Sequence, residues 1–351
     1  METQMMSAHE KKANLVAQLD AFGLEHLRMV ERPLVPLRHH DIRIRVRAAS
    51  LNHRDLQIAL GLHRSRVIDV RLPLIPLSDC AGEVAEVGRA VDRFRIGDRV
   101  SSAQMPDWTA GPFKPETLQS ALGAAIDGVL GTYYTGNQRG FVRIPDALSF
   151  EEAATLPTAA LTAWNALFEV GDLKPGETVL VQGSGGVSTF ALQFALAAGA
   201  RVLAITGSPA KAERLQELGA EHVIRHKREP EWSRAVLEFT GGAGVDHIVE
   251  TCGAGTIDES IKAAATGGSI SLIGLLTGAG GRFDMLPLLA KTLRVQGVVA
   301  GSVEMFERMV GMIEHLGIGP VIDRVFEMRE IGGALEYLKS GRHIGKVVVK
   351  V

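Results

Sequence analysis

Residues 177–219 read ETVLVQGSGGVSTFALQFALAAGARVLAITGSPAKAERLQELG. An apolar run, Val179-Leu180-Val181, meets a glycine turn, Gly183-Ser184-Gly185-Gly186-Val187-Ser188. A small-residue helix is predicted over 189–198, closed by Gly199, and a second apolar run over 201–205 ends the unit. Strand, glycine turn, helix and strand in this order form the βαβ unit that binds dinucleotides. Gly183 permits the tight turn, and Gly185 lets the backbone approach a pyrophosphate. The free N–H groups and the positive dipole end of the helix then face the phosphates. Ser188 stands where a third glycine is usual and is small enough for helix–strand contact.

The alternation continues downstream. Helices are predicted over 210–218, 231–239, 256–265 and 287–289, and strands over 222–224, 245–250, 269–273 and 293–299. This describes an α/β chain with a doubly wound parallel sheet. Helices are predicted over 151–155 and 159–168, the first behind Ser149-Phe150-Glu151-Glu152, which resembles a capping box. Before residue 150 the texture is that of a small barrel-like β-rich domain, with strands over 14–19 and 42–49. Ile42-Arg43-Ile44-Arg45-Val46-Arg47 alternates, which puts the arginines on a solvated face. An extended linker is expected over 32–36, irregular chain over 101–130 and extended chain over 131–142. Helices over 305–316 and 331–339 and a strand over 347–351 complete the tail.

The 351 residues suffice for two domains, and 46% hydrophobic content supports large cores. A net charge of −2 argues against nucleic acid or an anionic membrane as partner. Two cysteines, Cys80 and Cys252, suit a reducing compartment. No run reaches the length of a membrane span. Residues 1–12 read as a disordered lead-in without a signal peptide. A cytoplasmic protein is expected.

AASLNHRD (48–55), SDCAGEV (78–84), VDRFRIGDRV (91–100), LPTAALTAWNAL (156–167), VQGSGGV (181–187), VDHIVETCG (245–253) and HIGKVVVKV (343–351) occur in that order. In this the chain resembles the medium-chain dehydrogenase/reductase superfamily over nearly its whole length. The resemblance implies a Rossmann cofactor-binding domain over 151–299. It also implies a GroES-like catalytic domain over 13–150, completed by 300–351. Zinc-dependent members carry Cys, His and Cys where this chain has Asn52, Ser78 and Thr158, none of them a good zinc ligand. Asp79 remains, but one carboxylate cannot hold zinc. The chain is thus similar to the zinc-free branch of quinone oxidoreductases and enoyl-type reductases, and no metal is expected. By position in the family, Thr162, Cys252, Ile273-Gly274-Leu275 and Val298-Val299-Ala300 line the nicotinamide side, and Lys346 approaches the pyrophosphate. The resemblance further implies a homodimer through the edge strand over 293–299.

NAD-preferring sites place an acid after the second strand of the βαβ unit. Here Thr206-Gly207-Ser208 holds none, and Lys211 lies one helical turn on. Thr206, Ser208, Lys211 and Arg225 therefore suit a 2′-phosphate, which points to NADP(H) over NAD(H). With no Lewis acid to polarise an alcohol or carbonyl, conjugated acceptors are the easier substrates. Asn52 is the first candidate for a polar contact beside the nicotinamide. Arg54 and Asp55 form either a structural ion pair or part of the catalytic group. His63, read as an exposed loop residue, Tyr133 and Tyr134 are lesser candidates. The expected function is an NADPH-dependent, zinc-independent reductase of activated alkenes or quinones acting on a small molecule. A zinc-free alcohol dehydrogenase and a catalytically weak NADPH-binding structural or sensory protein remain as alternatives.

Overall fold

In the computed structural model, which describes residues 13–63, 68–281 and 284–351, the chain builds two large sheets and one small one. The expectation for residues 1–12 lies outside the described residues. β1 (Ala13–Leu19) and β2 (Leu27–Pro33) form an antiparallel pair. β3 (Asp41–Leu51) leads into α1 (His53–Ala59). β4 (Asp79–Val87), β5 (Arg99–Ser102), β6 (Tyr133–Asn137) and β7 (Phe141–Arg143) follow. The helical link is α2 (Phe150–Ala153) and α3 (Leu161–Trp164). The quoted unit is β8 (Thr178–Gln182), α4 (Gly186–Ala197) and β9 (Arg201–Thr206). Then come α5 (Pro209–Glu217), β10 (His222–Arg225), α6 (Trp232–Phe239), β11 (Val245–Glu250), α7 (Ile257–Ala263) and β12 (Ala264–Leu272). The chain finishes with α8 (Leu286–Ala290), β13 (Arg294–Gly297), α9 (Val303–Leu316), β14 (Ile322–Glu327), α10 (Ile331–Lys339) and β15 (Lys346–Lys350).

The central sheet is parallel throughout, in the order β10-β9-β8-β11-β12-β13. This is the doubly wound order, with the switch point between β8 and β11. Helices cover both faces, so the strands are apolar on both sides. Val179 and Val181 of β8 pack with Phe190 and Phe194 of α4, and Leu180 packs on the other face with Trp232 and Val236 of α6. Each such fully buried side chain contributes roughly 1.5–3 kcal/mol. The second large sheet runs β14-β15-β3-β4-β5-β7, with β6 also on β3. Its core holds Val46, Leu51, Leu77, Phe141 and Val347. β15 returns from the far end of the chain to pair with β3, Val347 opposite Leu51. That register brings Lys346 to Asn52. Among the described residues no helix is long and apolar enough to cross a membrane.

The structure corrects several expectations. The segment read as a linker over 32–36 begins inside β2, whose seven residues pair with β1. β14, which the sequence reading left unassigned, forms through parallel pairing with β15. Arg43 is not solvated: β6 and the chain near Val35 cover it, and it bonds Glu86 (2.6 Å), Thr135 Oγ1 (3.1 Å) and the Val35 carbonyl (2.5 Å). α4 starts at Gly186, three residues earlier than expected. The helical run through 156–170 contains two π-helical stretches, Leu156–Ala160 and Asn165–Val170, around α3. Such wide turns are rare and accompany functional sites.

Candidate active site

The glycine turn lies at the C-terminal end of β8. Gly183 has φ +77°, open to glycine at little cost. No atom lies within 4 Å of a Cβ built on Gly185, which leaves the open side a pyrophosphate needs. α4 begins at Gly186-Val187, so its first N–H groups face that opening. Ser188 is buried, and its hydroxyl donates to the Gln182 carbonyl (2.6 Å). It therefore ties helix to strand as well as fitting between them. Gly186 has no such freedom: a Cβ there would sit 2.6 Å from Lys346 Cδ and 3.1 Å from Ala159 Cβ. Across the turn, Gly345 N–H donates to the Ser184 carbonyl (2.8 Å), and Gly185 bridges Gly345. The glycine turn is thus joined to the segment entering β15.

At the end of β9, Thr206 is buried. Ser208 caps α5 by position, but its side chain makes no cap bond. The Lys211 ammonium donates to the carbonyls of Gly341 (2.6 Å) and His343 (2.8 Å), so one of its three protons is left for a ligand. Burial lowers its pKa, with Asp323 opposing. Arg225, at the end of β10, is half-buried. Two further basic side chains close over Gly207: a Cβ there would meet His226 Nε2 at 2.9 Å and Lys227 Cε at 3.1 Å. The sequence reading missed Lys227 as a ligand candidate, although it sits in the run Arg225-His226-Lys227-Arg228.

The strand ends meant for the nicotinamide side come together. Ile273 and Gly274 donate to the Glu250 carbonyl, Val298 N–H to the Leu272 carbonyl, and Asn165 Nδ2 to the Ala300 carbonyl (2.8 Å). Thr162 is buried on α3, its hydroxyl on the Thr158 carbonyl (2.6 Å). Leu275 is exposed and Cys252 half-buried; burial pushes the Cys252 thiol up, with Glu250 adding to it. Glu250, also missed, organises this rim. Fully buried at the end of β11, its carboxylate accepts from Cys252 N, Gly253 N, Thr256 Oγ1, Gln182 Nε2 and Ser260 Oγ at 2.5–3.0 Å. An acid following the apolar pair Ile248-Val249 at the strand's end, with Thr251, Thr256 and Ser260 downstream, was the available signal.

Facing the glycine turn is a buried polar cluster. Asp79, at 0% exposure, accepts from Ser78 Oγ (2.6 Å), Thr158 Oγ1 (2.6 Å) and Thr158 N (3.1 Å). The Lys346 ammonium lies 3.8 Å from Asp79 Oδ2 and donates to Asn52 Oδ1 (2.6 Å) and the Leu51 carbonyl (2.8 Å). Lys346 therefore does not aim its charge at the pyrophosphate, as expected; only its methylene stem passes Gly186. Burial lowers its pKa, against Asp79 and Asp55. Asp55 accepts from Asn52 N–H (2.8 Å) and lies 3.5 Å from Arg54 Nη1, which also donates to the Leu122 carbonyl (3.0 Å). Burial pushes Asp55 up to about 6, with Arg54 opposing and Asp79 adding. His63 is half-buried, its pKa lowered by burial and then by Arg54, so it adjoins this cluster rather than an open loop. Burial and then Lys211 push His343 down to about 4. Tyr134 is packed on Phe141 in β6, and Tyr133 bonds Asn14 through its backbone. Among the described residues no hydrogen bond joins either tyrosine to the cluster.

Asn52, Ser78 and Thr158 do converge, but as a donor set they do not fit zinc. They supply an amide and two hydroxyls already committed to Asp79 or Lys346, with an ammonium in their midst, where zinc takes thiolate or imidazole. Among the described residues no group of three or more His, Cys, Asp or Glu could hold a metal ion.

Two family models match the chain: an alcohol dehydrogenase GroES-like domain over residues 38–146 and a zinc-binding dehydrogenase domain over 186–333. A zinc-type alcohol dehydrogenase-like protein of Schizosaccharomyces pombe is 42% identical over 317 residues, covering 89% of this chain and 91% of the relative. A Sinorhizobium meliloti protein, solved as a candidate alcohol dehydrogenase, has a TM-score of 0.89 at 40% identity, covering 97% of this chain and 99% of its own. The quinone oxidoreductase from Coxiella burnetii has a TM-score of 0.79 at 27% identity, covering 97% and 100%. The chain belongs to the medium-chain dehydrogenase/reductase superfamily. It is an NAD(P)H-dependent oxidoreductase.

Proposed function

We propose that the chain is an NADPH-dependent, zinc-independent reductase of quinones or activated alkenes. The observation that carries this reading is the polar cluster around Asp79. The positions of the family's metal ligands hold a hydrogen-bonded network, tied to Asp79, with the Lys346 ammonium inside it. When bound, the cofactor supplies a hydride. The glycine turn would hold its pyrophosphate, and Ser208, the free proton of Lys211, Arg225, His226 and Lys227 would hold its 2′-phosphate. No acid stands at the end of β9 to repel that phosphate. Thr162, Cys252, Ile273, Leu275, Val298 and Ala300 would wall the nicotinamide. The protein's own part is to orient the acceptor, exclude water and offer a hydrogen bond to the oxygen on which charge develops. The names of the Schizosaccharomyces pombe and Sinorhizobium meliloti relatives favour a second reading, alcohol oxidation; the first is called zinc-type, and only the Asp79 cluster of this chain argues that such oxidation would proceed here without zinc.

The test is turnover by protein stripped of metal with chelator. NADPH consumption with a quinone and enone panel supports the reductase. Oxidation of alcohols alone supports the second reading, and NADPH binding without any turnover supports a binding protein. Loss of activity on stripping, restored by stoichiometric zinc, overturns the metal-free reading.

We also propose a cytoplasmic homodimer. β13 is the outermost strand of the central sheet and all four of its residues are exposed. Leu275, Leu276, Met285, Leu286, Leu289, Val295 and Val299 are exposed in the same part of the chain. A second copy pairing edge to edge would cover both. Light scattering that finds a dimer in the wild type and a monomer in Val295→Lys supports it; a monomeric wild type refutes it.

A further inference from the structure

The amide of Asn52 is bonded at one end only. Its Oδ1 lies 2.6 Å from Lys346 Nζ. An ammonium has no acceptor, so that atom is the oxygen and the orientation of the amide is settled. The Nδ2 end therefore points the other way. It is buried and has no hydrogen-bond partner among the described residues. Nor can it turn to find one without giving up Lys346. The ammonium is itself held, by the Leu51 carbonyl at 2.8 Å and Asp79 Oδ2 at 3.8 Å. Its stem is wedged against Gly186. Asp55 Oδ1 and the adjoining His63 Nε2 are likewise buried without a hydrogen bond, but Asp55 Oδ1 has the Arg54 guanidinium 3.5 Å away, whereas the Asn52 Nδ2 protons face no charge or acceptor among the described residues and call for a ligand.

The charge on Lys346 matters to that donor. A cation on the amide oxygen draws electron density from nitrogen to oxygen, which makes the Nδ2 protons more acidic and better donors. Reduction of an enone or quinone at carbon leaves an electron pair on the acceptor's oxygen, NADPH becoming NADP+ and a solvent proton completing the product. We propose that Lys346 is a positioning residue for this step: through the Asn52 carbonyl it aims and strengthens the Asn52 Nδ2–H that stabilises the acceptor's oxyanion. The substrate class then follows from the donor. The site favours acceptors whose charge comes to rest on one exposed oxygen beside the ring or chain being reduced. This inference rests on the reductase reading given above.

The test reads binding, not turnover. Substituted phenols serve as oxyanion mimics, added to the protein with saturating NADP+, and the bound phenolate is followed by its absorbance. The wild type is expected to bind phenolate in preference to phenol. Lys346→Gln, which keeps a neutral donor, should lower that preference about tenfold, as expected for loss of charge assistance. In the Asn52→Ala background the same change should have no further effect, because Lys346 acts through Asn52. Equal losses in both backgrounds, or none in either, overturn the proposal. Should Lys346→Gln fail to fold, Lys346→Gln with Asp79→Asn removes the buried charges together and gives the same comparison. Quinone and enone turnover is measured separately. Lysine-dependent phenolate binding without turnover sinks the reductase reading and leaves the oxyanion contact standing. Turnover without that dependence does the reverse.

Discussion

Replacing Glu250 by Gln changes one carboxylate oxygen into an NH2 while keeping shape. Three donors meet Oε1 (Cys252 N, Gly253 N, Thr256 Oγ1) and two meet Oε2 (Gln182 Nε2, Ser260 Oγ). The new amide keeps its oxygen toward the three and turns its NH2 toward the two. Ser260 can rotate its hydroxyl to accept, but Gln182 then presents donor to donor. Gln182 Oε1 is buried and has no hydrogen-bond partner among the described residues, so a flip of that amide restores one bond and strands its NH2 instead. One buried donor is left unsatisfied at about 1–3 kcal/mol, and the three remaining bonds lose charge assistance worth roughly 1 kcal/mol each or somewhat less. The expected loss is about 4 kcal/mol, a large part of the stability of an ordinary domain. Urea unfolding followed by tryptophan fluorescence measures it, since Trp232 packs against the neighbouring strands. The midpoint should fall with the slope unchanged. A loss below about 1 kcal/mol would refute the account of Glu250 as the organiser of this rim.

Asp55→Asn tests the buried cluster by pH. The Asp55 pKa rises from 3.8 to about 6 on folding, so its stabilisation is full below pH 3.8 and lost as pH rises through 6. The difference is roughly 3 kcal/mol. Urea unfolding at several pH values should show the wild type losing that much relative to the variant between pH 4 and 7. Gly345→Ala puts a Cβ 2.1 Å from the Val321 carbonyl at φ +72°, and thermal melts should show a loss of at least about 2 kcal/mol. Lys227→Ala should raise the Kd of NADPH about tenfold and leave NADH nearly unchanged in fluorescence titrations. Equal effects on both cofactors would remove Lys227 from the 2′-phosphate contacts.

The middle of the central sheet was readable because β8 and β9 are buried on both faces and so carry short, largely apolar runs. β11 was read with its observed limits, Val245–Glu250. β14 was not readable: in Ile322-Asp323-Arg324-Val325-Phe326-Glu327 most residues are exposed, and the strand exists through its ladder with β15. Arg43 shows the limit of period-two reading. Alternation tells which residues share a face, not whether a distant segment covers it. The glycine turn, and the absence of an acid after Ile205, were local signals. The places taken by the ammonium groups of Lys346 and Lys211 were not, since each is set by a partner more than a hundred residues away. Lys346 bonds Asn52 because of the β15–β3 register, and Lys211 bonds the 341–343 segment across the seam between the sheets.

That seam separates two kinds of contact. The bonds from Gly345 to Ser184 and from Lys211 to residues 341 and 343 cross from the segment entering β15 to the central-sheet half. The bond from Lys346 to Asn52 does not cross. Both residues stand just beyond the Val347–Leu51 pair that ends the β15–β3 ladder. The aim of the amide is therefore set by bonds inside one sheet, independently of the contacts that join that sheet to the other.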